Sequence, residues 1–315
     1  MAKVLVTEQI HPDGMELLKN AGHEVIFGNI TKANDEENLI KLFEDVDAAL
    51  VRFAEITDKV IANAKNLKII SKHGVGIDNF DQDAMKKKGV ALTVTPGANS
   101  LAVAEHAFAL LIALSKNLSE VSQNYRTEGL AARNGVMGYT ITGKTLGILG
   151  YGRIGRYIGD MAMKGFGMKV IVYDPFIPRN DERVTYVDDP EDLLKESDFV
   201  TLHLGLTDDT RHMISDHQFD IMKENAILIN CARGPIIDEQ ALIRALQEGK
   251  IHGAGLDVTE EEPCNPDSPL FKMKNVILTP HYAPKTHECE SLVASTAAEN
   301  IINFLNNDEV VGRII

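Results

Sequence analysis

Cysteine is scarce in this chain of 315 residues: Cys231, Cys264 and Cys289 stand at wide, irregular spacing. Thiols so placed give neither a disulfide framework nor a zinc-ligand pattern, so no metal is expected, and reduced thiols in a cytoplasmic protein fit best. Positive charge is in deficit too, with 32 Lys and Arg against 46 Asp and Glu and a net charge of −14. That balance argues against nucleic acid as the main partner, because neutralising phosphates takes clustered cations. No apolar run is long enough to span a bilayer; the most apolar stretch, 101–114, is short and interrupted by Glu105 and His106. No secretory leader is visible either, since Lys3-Val-Leu-Val-Thr7 is followed at once by Glu8, Gln9, His11 and Asp13. Internal repeats, low-complexity tracts and charge blocks are also missing. What is left is an ordinary globular composition, 44% hydrophobic and 25% charged, in a chain long enough for two separate cores.

Short apolar runs alternate with amphipathic segments in two series. In the first, 4–7, 24–27, 48–51, 67–71 and 91–94 read as strands, with helices such as 13–20 and 58–64 between them. A turn at 95–100 follows, where Asn99 or Ser100 caps a helix reaching 114. That helix is apolar on most sides and must be buried, either crossing between domains or packing on its own copy; the second option points to a homodimer. The second series begins near 145. Its strands are 146–149, 169–173, 199–203, 227–230, 253–258 and 276–279, with helices such as 190–195 and 239–248, and a last helix over 285–306. Such alternation predicts parallel sheets with helices on both faces.

The second series opens on Thr145-Leu-Gly-Ile-Leu-Gly-Tyr-Gly-Arg-Ile-Gly155. Gly150 permits a tight turn, Gly152 lets the backbone approach a pyrophosphate, and Gly155 lets the following helix pack closely on the strand. The helix N-terminus then offers free N–H groups and its dipole to an anion. Some 20 residues after the fingerprint, the next apolar run ends in Asp174, at the spacing of an acceptor for ribose hydroxyls. A carboxylate there repels the 2′-phosphate of NADP, so NAD is the expected cofactor. About 140 residues precede the fingerprint, so another unit comes first.

Further along, chemistry-bearing residues fall at strand ends, in Asn230-Cys-Ala-Arg-Gly234, Gly255-Leu-Asp-Val258, Glu260-Glu-Glu-Pro263 and Thr279-Pro-His-Tyr-Ala283. In an open α/β sheet these ends line the ligand site. Moving a hydride to or from a carbinol carbon requires a group to handle the hydroxyl proton. His281 suits that, with Glu262 to fix its tautomer and raise its proton affinity. Arg233 has the planar donor fork to hold an acid and polarise its carbonyl.

The order of these motifs resembles the D-isomer-specific 2-hydroxyacid dehydrogenases, in particular the 3-phosphoglycerate dehydrogenase-like and the hydroxypyruvate or glyoxylate reductase-like branches. The resemblance spans nearly the whole chain. It is carried by Lys72-His-Gly-Val-Gly-Ile-Asp-Asn79, Asn99-Ser-Leu-Ala-Val-Ala-Glu105, the fingerprint, Asp174-Pro175, His203-Leu-Gly-Leu-Thr207, Asn230-Cys-Ala-Arg-Gly-Pro235, Gly255-Leu-Asp-Val258, Glu262-Pro263 and Thr279-Pro-His281. It implies a catalytic set of Arg233, Glu262 and His281. It further implies NAD contacts from Arg153, Ile154, Asp174, Leu204, Cys231, Ala232 and Asp257, beside those of Gly150, Gly152 and Gly155, with Val75 and Arg233 also near the cofactor. The loop Gly74-Val75-Gly76 is expected to offer N–H groups to the substrate carboxylate. The implied fold is α/β with two doubly wound parallel-sheet domains. A Rossmann NAD domain (99–284) is inserted into a flavodoxin-like substrate domain (1–98 and 285–315), and the protein is expected to be a homodimer.

Two positions depart from the family pattern. Gly205 stands where a proline is usual, and Tyr282-Ala-Pro284 follows His281 where many members have smaller residues. The chain also stops at Ile315, so serine control through a C-terminal regulatory extension is not expected. Arg52 and Lys72 fall at strand ends of the first series, either as a second anion site for a substrate phosphate or as two exposed charges. A short D-2-hydroxy acid or its keto form is the expected substrate, with a 3-phosphoglycerate-like acid favoured. Hydroxypyruvate or glyoxylate reduction is the alternative, and an NAD-sensing corepressor the reading of a different class.

Overall fold

A computed structural model describes all 315 residues. The chain divides into two compact units, Met1–Asn99 with Lys285–Ile315, and Ser100–Pro284. The first contains β1 (Lys3–Val6), α1 (Pro12–Asn20), β2 (Glu24–Phe27), α2 (Glu36–Phe43), β3 (Ala48–Val51), α3 (Asp58–Asn63), β4 (Ile69–Lys72), α4 (Gln82–Lys88) and β5 (Ala91–Thr93). The second contains α5 (Ser100–Ser115), α6 (Leu118–Glu128), β6 (Thr145–Leu149), α7 (Arg153–Asp160), β7 (Lys169–Tyr173), β8 (Thr185–Tyr186) and α8 (Pro190–Glu196). It continues through β9 (Phe199–Leu202), α9 (Asp216–Ile221), β10 (Ile227–Asn230), α10 (Glu239–Gln247), β11 (Gly253–Leu256) and β12 (Val276–Leu278). The chain then returns to the first unit with α11 (His287–Asn306).

In the first unit the sheet order is β2-β1-β3-β4-β5, every pair parallel. Parallel strands covered on both faces must be apolar throughout, and β3, Ala-Ala-Leu-Val, is buried at all four positions. One face is closed by Leu39, Phe43, Val60, Ile61 and Met85 from α2, α3 and α4, the other by Leu18 of α1 and Ala294, Ala297 and Ile301 of α11. Local signals set the helix ends. In α4, Asp81 accepts the Ala84 N–H at the start, three lysines fill the last turn, and Gly89 at φ 73° stops it.

The second unit holds a seven-stranded parallel sheet ordered β12-β11-β10-β9-β6-β7-β8. The six strands read from the sequence are present, and the two-residue β8 extends the β7 edge. β6 lies between β7 and β9, so the strand order reverses there, and the carboxyl end of β6 is where an open sheet of this kind takes its ligand. Helix α5 packs on α7, β10 and β11 of its own unit. Its Leu110 is admitted by Gly255, where a Cβ would lie 3.0 Å from the Leu110 Cβ. Packing on these elements of its own unit buries much of apolar α5. No single helix is long and apolar enough to cross a membrane.

Candidate active site

Six strands of the second unit end in residues singled out by the sequence, and all six ends lie on one edge of the parallel sheet. After β6 the chain turns at Gly150 with φ 94°, where a Cβ would meet the His203 carbonyl oxygen at 2.6 Å. A Cβ on Gly155 would sit 2.2 Å from the Gly150 oxygen, which is why α7 can start hard against β6. Gly152 differs: a Cβ there meets nothing within 4 Å. The fold leaves that space open directly over the N-terminus of α7, whose Gly152 N-cap gives its N–H groups no side-chain acceptor. Asp174, at the end of β7, is drawn towards the same loop by the Tyr151 N–H on Oδ2 (2.9 Å) and the Phe176 N–H on Oδ1 (3.0 Å). An open cradle of N–H groups beside a partly exposed carboxylate matches a pyrophosphate with an adjoining ribose, so the residues present fit NAD.

The loop after β9 carries His203, whose Nε2 meets Thr201 Oγ1 at 2.9 Å while Nδ1 is buried without a partner. Burial pushes its pKa down to about 3, so the ring is neutral. Leu204, next to it, packs on the core. After β10, fully buried Asn230 clamps the following turn: its Oδ1 accepts the Ala232 N–H and its Nδ2 donates to the Arg233 oxygen, both at 2.9 Å. Arg233 Nη1 donates to the Ala232 oxygen at 2.8 Å. Only glycine fits at 234, where a Cβ would overlap the Thr259 carbonyl at 1.8 Å. Burial, and secondarily the Asp257 carboxylate, raises the Cys231 thiol well above the ordinary range, so it contributes a neutral wall and no nucleophile.

The segments after β11 and β12 bring His281 and Glu262 together. His281 Nδ1 lies 2.8 Å from Glu262 Oε2, and both side chains are about half exposed. An ionised carboxylate only accepts, so Nδ1 carries the hydrogen and Nε2 is the nitrogen left to act. The neighbouring Glu260 has other work. Glu260 pairs with His212 at 2.7 Å and with the Glu239 N–H, tying two loops. Asp257, expected at the cofactor, is 1% exposed, and its carboxylate accepts from Thr279 Oγ1, the Tyr282 N–H and the Ala283 N–H at 2.5–2.8 Å. It holds the turn under His281. Asn230 and Thr279, quoted in the sequence only as members of their motifs, and His106, whose Nε2 lies 3.0 Å from Thr279 Oγ1, have structural parts here that the sequence did not assign. Only the asparagine, two residues before a glycine-bounded turn, had a local signal.

In the first unit, Val51 and Lys72 are register partners, which sets Arg52 beside Lys72, and the Lys72 ammonium donates to the Arg52 oxygen. Arg52 Nη2 reaches Glu290 Oε1 at 3.4 Å, and Lys285 Nζ takes the other Glu290 oxygen at 3.0 Å. The Glu290 carboxylate, 13% exposed, thus already sits against these cations. His73 is buried beneath, its Nε2 unpartnered and its pKa lowered to about 4 by burial and then by Arg52. In the following loop the Gly74 N–H donates to Thr95 Oγ1 at 3.2 Å, and Val75 is 41% exposed.

Residues 108–283 match the family model described as D-isomer specific 2-hydroxyacid dehydrogenase, NAD binding domain. Over 97% of the chain and 94% of the relative, the sequence is 42% identical to a glyoxylate reductase of Thermococcus litoralis. It is 41% identical to a D-3-phosphoglycerate dehydrogenase of Methanocaldococcus jannaschii over 98% of the chain, which spans only 58% of that longer relative. Among solved structures, the TT0316 protein of Thermus thermophilus superposes with a TM-score of 0.94 at 32% identity, covering 99% of this chain and 100% of that one. With the glycine turn after β6, Asp174 after β7 and these matches in agreement, the chain belongs to the D-isomer-specific 2-hydroxyacid dehydrogenases, NAD-dependent oxidoreductases acting on CH–OH groups.

Proposed function

We propose that this protein reduces a short 2-keto acid with an uncharged tail, of the glyoxylate or hydroxypyruvate class, and that Arg233, Glu262 and His281 do the chemistry. The observation that carries the catalytic part is the 2.8 Å contact between His281 Nδ1 and Glu262 Oε2. NAD supplies the hydride chemistry when bound, in the cradle of Gly150, Gly152, Arg153, Ile154 and Gly155 with Asp174 on the ribose. Leu204, Cys231 and Ala232 are assigned to the surroundings of the same cofactor. Arg233 binds the substrate carboxylate through its donor fork and withdraws charge from the carbonyl. His281, protonated on both nitrogens, gives the Nε2 proton to the C2 oxygen during reduction and takes it back with the same lone pair during oxidation. Glu262 keeps Nδ1 protonated through both directions and offsets the imidazolium charge.

The first unit holds the candidate anion site of Arg52 and Lys72. Glu290 already supplies a carboxylate to Arg52, so a phosphate there would have to displace or repel it. The relative matched over almost its whole length is named a glyoxylate reductase. A second reading, a phosphorylated tail, is favoured by the adjacency of Arg52 and Lys72. The test is NADH oxidation against glyoxylate, hydroxypyruvate and phosphohydroxypyruvate. A kcat/KM at least tenfold higher for the two unphosphorylated acids is expected, with Glu290→Gln narrowing the gap. A preference for phosphohydroxypyruvate in the unaltered protein contradicts the assignment.

We further propose a homodimer. Helix α6 buries none of its residues, and it and the segment after it leave Leu118, Tyr125, Leu130, Val136 and Met137 exposed, apolar surface that a second copy would cover.

A further inference from the structure

We propose that His106 is a positioning residue for His281, acting through Thr279 and Asp257; the inference rests on the reading of His281 as the acid and base. His281 is held at φ 51°, in the left-handed region. A residue with a Cβ pays about 1–2 kcal/mol there, so the surroundings must hold the turn in place. They do so through one buried acid. The His281 N–H donates to the Asp257 carbonyl oxygen at 2.7 Å, and the next two N–H groups, of Tyr282 and Ala283, donate to its two carboxylate oxygens at 2.7 and 2.8 Å. Thr279, at the other end of the turn, donates its hydroxyl to Oδ1 at 2.5 Å.

The direction of that last bond fixes what His106 does. A carboxylate only accepts, so the Thr279 hydrogen is committed to Asp257 and its oxygen is left to accept. His106 Nε2, 3.0 Å from Thr279 Oγ1 and 3.6 Å from Asp257 Oδ1, must then present an N–H. The relay reads His106 N–H to the Thr279 oxygen and Thr279 O–H to the Asp257 carboxylate, which also accepts the two backbone N–H groups immediately after His281. The His106 ring also lies against Tyr282, with centroids 6.3 Å apart, so it meets the turn before and after His281. Its own frame is rigid, because α5 is a 16-residue helix seated on α7, β10 and β11. A leucine would suit such an apolar helix; the imidazole adds a single N–H aimed at the catalytic turn. Misplacing a reacting group by about 1 Å costs on the order of 100-fold in rate, so a looser turn is felt first in turnover.

The experiment compares His106→Leu, which fills the space without an N–H, with His106→Gln, whose side-chain amide restores a donor. For each, kcat and KM for keto-acid reduction, the NADH dissociation constant and Tm are measured. His106→Leu is expected to lower kcat at least tenfold with NADH affinity within twofold of the unaltered protein, and His106→Gln to recover kcat to within about threefold. An unchanged kcat in His106→Leu overturns the inference. So does a joint fall of kcat, NADH affinity and Tm that glutamine fails to rescue, which marks a purely structural residue. His281→Ala, run in parallel, separates the two layers: if it turns over normally, the acid–base reading itself has failed, whatever His106 does.

Discussion

Replacing Gly152 by alanine separates what the fold requires of the fingerprint from what the cofactor requires. The three glycines differ in the space around them: a Cβ at 155 would lie 2.2 Å from the Gly150 oxygen, one at 150 lies 2.6 Å from the His203 oxygen, and one at 152 meets nothing. Gly155→Ala must therefore push backbone apart, at about 3 kcal/mol, which for a unit of this size lowers Tm by roughly 6–12 °C. Gly152→Ala costs the fold only what an alanine N-cap costs relative to glycine, up to about 1 kcal/mol, and Tm is expected to stay within about 4 °C. The new methyl instead enters the space over the α7 N-terminus. Losing one or two charge-assisted bonds of about 1.5–3 kcal/mol each reduces NADH affinity roughly 100-fold. The assay is fluorescence titration of NADH on both variants beside their thermal melts. If Gly152→Ala binds NADH within threefold of the unaltered protein, the cradle has been placed wrongly.

Three further outcomes follow from single side chains. Asp174→Ala is expected to lower kcat/KM for NADH at least tenfold and to raise it for NADPH, since the carboxylate both accepts from ribose and repels a 2′-phosphate; an unchanged ratio of the two removes Asp174 from the ribose. Burial holds the His73 pKa near 4, below the ~6.5 of an exposed histidine, so unfolding takes up a proton in that window and the stability present above pH 6.5 is lost as pH falls towards 4. His73→Gln should therefore flatten the fall in unfolding free energy between pH 7 and 5 by about 2 kcal/mol, measured by urea denaturation at both pH values; parallel slopes would show that His73 titrates normally. Leu130, 77% exposed, is expected on the dimer face, so Leu130→Asp should halve the mass seen by light scattering, and a monomeric unaltered protein would refute the dimer outright.

Much of the architecture is legible in the sequence because parallel strands must be apolar at successive positions, and runs such as Ala-Ala-Leu-Val and Ile-Leu-Ile-Asn announce themselves. The glycine fingerprint and the acid after β7 are legible for the same local reason. Thr185–Tyr186 is not, since two residues carry no period, and it is pairing with β7 that makes them a strand. The composition of α5 predicts burial but cannot say against what; the answer depends on Gly255 and its neighbours in a strand more than 130 residues away. Asp257 shows the limit most clearly. Its position at a strand end is local, but the donors on its carboxylate come from residues 279–283, and only the folded chain shows that they come from beneath His281. His106 likewise reads as an interruption in an apolar run until Thr279 is found opposite it.

Whether His281 moves the substrate proton, with Glu262 at its back, can be decided by one experiment. The most direct measurement is single-turnover NADH oxidation by His281→Ala with hydroxypyruvate, at NADH concentrations where binding is verified by fluorescence. A rate at least 1,000-fold below that of the unaltered protein, with NADH affinity preserved, is the predicted result, in keeping with the ~10²–10⁴-fold contribution of a positioned acid–base group. A rate within tenfold would contradict it and move the proton to another group.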